Sequence, residues 1–140
     1  MADPRRGTLQ AFDRFAPHVH WFVRAALAGI FLFHGYDKIS NGTPPDGPLE
    51  AMFFGSATLF WLVALGEVVA GAGFVLGGLR HERAALSTRV AGGIVLVIML
   101  GAARFHLSNG AHPWHFMQGG AEFQVLTAAI GLLALVRGRI

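Results

Sequence analysis

The sequence contains no cysteine. That excludes disulfides, thiolate metal sites, iron–sulfur ligation and thiol redox chemistry carried by this chain itself, and leaves the compartment open on this criterion. Charge is also scarce: Asp, Glu, Lys and Arg make up 14% of the 140 residues, against roughly a quarter in an ordinary soluble domain. No phosphate-cradling glycine loop, HExxH pair, serine-nucleophile motif or dinucleotide fingerprint is present, and no soluble domain is left over to house a hydride-transfer cofactor. A cleavable signal peptide is not expected either. The first apolar run begins near Val19 behind a charged leader, and no small-residue cleavage site follows it.

What fills the space is apolar. Hydrophobic residues make up 54% of the chain and the mean hydropathy is +0.52, values that belong to an integral membrane protein. The stretch Leu59 to Leu79, LFWLVALGEVVAGAGFVLGGL, is long enough at 1.5 Å per residue to cross a ~30 Å hydrocarbon core, and it carries one carboxylate, Glu67, near its middle. An ionisable group at that depth costs on the order of 2.5–3.5 kcal/mol on insertion scales, so Glu67 is expected to face protein or trapped water and not lipid. Three further runs follow the same pattern. The reading is an all-α integral membrane four-helix bundle with spans at about 19–39, 59–79, 86–105 and 120–136, preceded by a leader, 1–18, that forms a short interfacial helix ending near Pro17 or a tail. Residues 19–140 form one domain, with LEAMFFGSA as a short interfacial or re-entrant piece before the second span.

The arginines orient it. Arg5, Arg6 and Arg14 precede the first span, Arg80, Arg83 and Arg89 surround the second loop, and Arg137 and Arg139 follow the fourth, whereas the first and third loops contain no Lys or Arg. The positive-inside rule makes both termini and the middle loop cytoplasmic. This placement also accounts for the basic pI of about 10.6 without a polyanion: the net charge is only +3 and the arginines are dispersed, so no nucleic-acid partner is expected. RAALAGIF at 24–31 resembles RVAGGIVL at 89–96, which fits either a two-plus-two duplication or the small alphabet that membrane helices share.

Candidate chemistry sits on two helices. Glu67 shares its face with Val63, Ala64, Ala70, Gly71, Phe74 and Gly78, a largely small-residue stripe where another helix can approach closely. Its carboxylate either bonds a neighbouring helix, with Arg24 as one partner, or handles protons or a ligand. On the first span Arg24, His34 and Lys38 fall within an arc of about 80°, with Asp37 about 60° from His34. That stripe suits a proton relay or a headgroup site, with Glu67 and His34 moving protons and Arg24, Lys38 and Asp37 binding; the plainer reading has Asp37 and Lys38 snorkelling at the boundary. Arg104 and His106 lie about 200° apart, so one of them decorates the surface. His112 and His115, with His106, His34 and Glu122, offer metal or haem ligand types, but one HxxH in a loop fixes no geometry, and ordinary interfacial histidines explain them more simply. No metal is therefore assigned.

RAALAGIFLFHGYDKI, LGEVVAGAGFVLGGLRHERAAL and GGAEFQVLTAAIGLLALVRG together resemble the DoxX family of small four-helix bacterial membrane proteins. The matching positions are Arg24, His34, Gly35, Lys38, Glu67, Gly78, Leu79 and Arg83, within a likeness from about Val23 to Gly138. The resemblance implies a four-helix bundle and, in some relatives, a membrane subunit of thiosulfate:quinone oxidoreductase. On that basis the expected role is an inner-membrane subunit of a redox or quinone-linked assembly, with quinone as ligand, lipid around it, and other membrane subunits or a homo-oligomer as partners. Arg24, His34, Lys38 and Glu67 would line one polar pocket. The alternative is a non-catalytic accessory subunit packed through small-residue faces against a larger complex.

Overall fold

A peptide group left unpaired in hydrocarbon costs several kcal/mol, so a chain this apolar has helices as one of its few outlets. The computed structural model describes residues 4–42, 44, 50, 52–79, 82–110, 113–115 and 120–140, with side chains from Arg14 onward. It contains four α-helices: α1 Pro4–Asn41, α2 Ala57–Gly78, α3 Ala84–Ser108 and α4 Glu122–Arg137. No strand occurs among the described residues. Ser56 starts α2, its side chain accepting a hydrogen bond from the Leu59 amide at 3.2 Å. Gly138 ends α4 in the left-handed conformation at φ +67°, which a side chain would resist.

The expected break near Pro17 is absent. Proline removes one amide donor but does not stop α1, because residues around it are exposed and the freed carbonyl can find another partner. The leader and the first span are thus one continuous helix, of which Arg14–Asn41 is long and apolar enough to cross a membrane. Ala57–Gly78 and Ala84–Ser108 also qualify. At 16 residues α4 rises about 24 Å, short of a full ~30 Å core, and it lies along α3. LEAMFFGSA, apart from residues 49 and 51, which lie outside the described residues, folds in part as a short 3₁₀ turn; Phe53 packs edge-on against Phe60 at 5.2 Å between ring centroids.

Each helix packs antiparallel on its successor, α1 on α2, α2 on α3 and α3 on α4, with no comparable α1–α4 interface. Glycines set the spacing. A Cβ on Gly71 would strike Leu32 of α1 at 2.6 Å, one on Gly73 would meet Ala91 of α3 at 2.9 Å, and one on Gly92 would reach the Gly131 carbonyl oxygen of α4 at 2.6 Å. The core between the helices is built from Leu27, Phe31, Phe74, Val95, Met99 and small residues. Outer faces carry large apolar side chains such as Phe22, 78% exposed, and Val97, 71% exposed, as a lipid-facing surface requires.

Gly92→Leu is expected to push α3 off α4 and lower stability by about 1–3 kcal/mol, read as an earlier thermal unfolding midpoint in detergent. Gly101→Ala, also inside α3, should not lower the midpoint and is expected to raise it slightly, since nothing lies within 4 Å of the added methyl and alanine favours the helix over glycine.

Candidate functional site

The antiparallel register of α1 on α2 brings the chain's single lysine to the carboxylate of the second span. Lys38 Nζ donates to Glu67 Oε2 at 2.8 Å and to Oε1 at 3.0 Å. Glu67 is 5% exposed and faces protein, on the stripe formed by Phe60, Ala64, Gly71 and Phe74. Gly35, one turn before Lys38, makes the reach possible: a Cβ there would stand 2.9 Å from the Ala64 carbonyl oxygen and from the Val68 amide nitrogen. The Lys38 stem thus starts from a backbone pressed directly onto α2.

The pair closes one end of a cavity of about 260 Å³. Its walls are apolar, from Phe53 and Phe54 before α2, Val63 on α2, and Val97 and Met99 on α3. Leu59, Val63, Val97 and Ile98 also border a second, wholly apolar groove of about 420 Å³ between α2 and α3. The two spaces thus share a wall, and the groove opens on the exposed face beside Leu62 and Val97. Above the cavity the Arg104 guanidinium stacks over Phe54 at 5.3 Å from the ring centroid.

Arg24 belongs to a different centre. Lying fourteen residues before Lys38, it is about 21 Å away along α1. It is 2% exposed, donating from Nε to His20 Nδ1 at 3.2 Å and from Nη1 to the Phe74 carbonyl oxygen at 3.0 Å and to Thr88 Oγ1 at 3.1 Å. The bond from Nε fixes His20 as the neutral tautomer with its proton on Nε2. Gly77 admits the guanidinium, since a Cβ there would come within 2.8 Å of Nη1. Thr88, His20 and the Phe74 carbonyl escaped the sequence reading. A polar residue near the start of the third span was the available signal for Thr88, but the carbonyl of an apolar residue gives none.

The single polar pocket expected from the stripe on α1 is therefore two centres. Lys38 and Glu67 meet, whereas Arg24 stands apart and does not bond Glu67. His34 is exposed beside Phe33, with ring centroids 5.6 Å apart, and lies outside the cavity; Asp37 is exposed and accepts from Asn41 Nδ2 at 2.9 Å. Of the imidazole set, His112 lies outside the described residues, and His106 is half-buried beside Phe105 while Arg104 is exposed. His115 is exposed in the loop before α4, and Glu122 Oε2 is buried in the first turn of α4 with no hydrogen-bond partner among the described residues. Among the described residues no three His, Asp or Glu side chains converge on a point that would hold a metal.

The family model for DoxX matches residues 20–108, which takes in both polar centres and ends with α3. Neither the curated proteins nor the solved structures give a match.

Removing one partner of a fully buried ion pair costs about 3–5 kcal/mol and replacing both by apolar residues is near neutral; Lys38 is 20% exposed, so the cost here falls below that range. Glu67→Gln and Lys38→Met are each expected to lower the unfolding midpoint in detergent, and the double variant Lys38→Met/Glu67→Leu to recover most of the loss. Additive losses in the double variant would show that the two side chains do not interact.

Proposed function

This chain belongs to the DoxX family, and from that premise we propose that it is an inner-membrane subunit of a redox assembly linked to quinone, with the Lys38–Glu67 cavity as the headgroup seat. That it is a multi-pass membrane protein follows from its helices; the quinone, the assembly and the cytoplasmic placement of both termini are part of the proposal. The observation that carries it is the pairing of a half-buried donor and a buried acceptor at an apolar cavity that shares a wall with a lipid-side groove. An apolar pair would hold α1 on α2 at least as well as Lys38 and Glu67 do, so retaining charge there supports a ligand. A ring of one aromatic headgroup suits the cavity, and an aliphatic tail suits the groove.

The residues present fit such a ligand. Lys38 Nζ, which has three hydrogens, can donate to a headgroup oxygen while still bonded to Glu67, and Glu67 can pass a proton to or from the same oxygen. Phe53, Phe54 and Met99 keep water from the seat. A quinone held there would supply the electron-accepting group, and its electrons would come from a partner subunit or a cofactor elsewhere in the assembly. The accessory-subunit reading is weakened at one point: Gly71, Gly73, Gly77 and Gly92, the small-residue faces it would use, are consumed in contacts within the chain.

Two substitutions test this. Ala102→Phe, on the cavity wall, fills the space without touching the ion pair. The Lys38→Met/Glu67→Leu variant removes the polar seat while keeping α1 on α2. Both are expected to weaken binding of a short-chain quinone to the purified protein by about tenfold or more, the loss of one charge-assisted hydrogen bond, with the unfolding midpoint retained. Wild-type affinity in both variants would reject the site.

A further inference from the structure

The opposite end of the bundle holds a second cavity that the quinone reading does not use. It measures about 420 Å³ and lies where the α2–α3 connection meets the segment after α4. Arg24 and His20 of α1 line it, with Glu82, Ala84 and Arg139. Arg24 is the informative member. Its Nε and Nη1 are committed to His20, Phe74 and Thr88, while Nη2 has no hydrogen-bond partner among the described residues, on a side chain 2% exposed. Two N–H donors of the guanidinium are therefore left uncommitted by the described residues, on a side chain that lines a cavity.

The surroundings favour an anion. Among the described side chains lining the space, Arg24 and Arg139 are cationic and Glu82 is acidic, and His20, accepting at Nδ1, has its Nε2 proton for donation. The first turn of α3 borders the same cavity at Ala84 and Ala85. Leu79 and Ile140 give the wall an aliphatic portion. A planar guanidinium presenting a free edge matches the oxygens of a phosphate group.

The geometry points to a binding site for a phosphate oxyanion at Arg24, Arg139 and His20, with the headgroup of an anionic phospholipid and free inorganic phosphate as its two sources. Arg24 holds the inner face of the oxyanion, and Arg139 closes the outer one. The site stands about 21 Å along α1 from Lys38 and is independent of any quinone binding.

The experiment uses the full-length protein, delipidated in neutral detergent and incubated with an equimolar mixture of phosphatidylglycerol and phosphatidylcholine, and counts retained lipid by native mass spectrometry. One phosphatidylglycerol is expected to be retained preferentially. Arg139→Gln, which removes a side chain with no hydrogen bond to the fold, is expected to reduce that preference about tenfold, while Arg137→Gln, an exposed arginine at the same end but off the cavity, should not. Phosphatidylglycerol retained in the presence of millimolar inorganic phosphate identifies the lipid as the source. Displacement of the lipid by phosphate, or calorimetric binding of phosphate alone that is lost in Arg139→Gln, identifies the free ion. Equal losses in both arginine variants, or neither preference for phosphatidylglycerol nor binding of phosphate, would overturn the site.

Discussion

Two opposite charges, each costly among apolar side chains, are tolerable when they meet at 2.8 Å, and the meeting of Lys38 with Glu67 constrains much of what surrounds it. For Lys38 to reach a carboxylate near the middle of α2, α1 must run antiparallel to α2 and lie close to it. Gly35 and Gly71 supply the closeness by leaving no side chain between the two backbones. Ala64 and Phe74 then share the buried stripe with Glu67, and Phe31 fills the adjoining core. Because the pair stands at the edge of the packed layer, one side of it borders a cavity.

At the far end, arginines do a different job. Arg24 donates to the Phe74 carbonyl oxygen near the C-terminal end of α2, and Arg89 donates from Nη1 to the Leu135 carbonyl oxygen at 2.9 Å and to that of Val136 at 2.6 Å at the end of α4. In both cases an arginine of one helix donates to carbonyls in the last two turns of the next, at the end where the helix carries a negative partial charge. The likeness of RAALAGIF to RVAGGIVL thus has a structural counterpart: the two antiparallel pairs are tied by the same device. The ion pair has no such echo, since position 103, fourteen residues after Arg89, is an alanine.

Helix number and the buried face of Glu67 were legible in the sequence because both follow from periodicity and from the cost of charge in hydrocarbon. Phe60, Ala64, Gly71 and Phe74 recur every three or four residues, and a carboxylate among them has nowhere to face but protein. The partner of Glu67 was not legible. Arg24 and Lys38 lie in one arc of α1, and choosing between them requires the register of α1 on α2, which depends on contacts at Gly35 and Gly71 between residues far apart in sequence. His34 was misleading for a related reason: an arc of about 80° is wide enough to include both the buried Arg24 and an exposed ring. Pro17 suggested a boundary because proline removes a donor, yet a single missing bond at an exposed position does not end a helix. The cavity walls, from Phe53 and Phe54 to Met99, combine three segments and leave no local signature.

The separation between the Lys38 ammonium nitrogen and the Glu67 side-chain carboxyl carbon, measured by rotational-echo solid-state NMR on the labelled protein in lipid bilayers, tests the ion pair most directly. The chain has one lysine, so its ammonium signal is unambiguous. A distance below about 4 Å is expected for a carboxylate bonded through both oxygens. Absence of dipolar dephasing at that carbon, with the ammonium exchanging freely with water, would contradict the pair and the cavity built upon it.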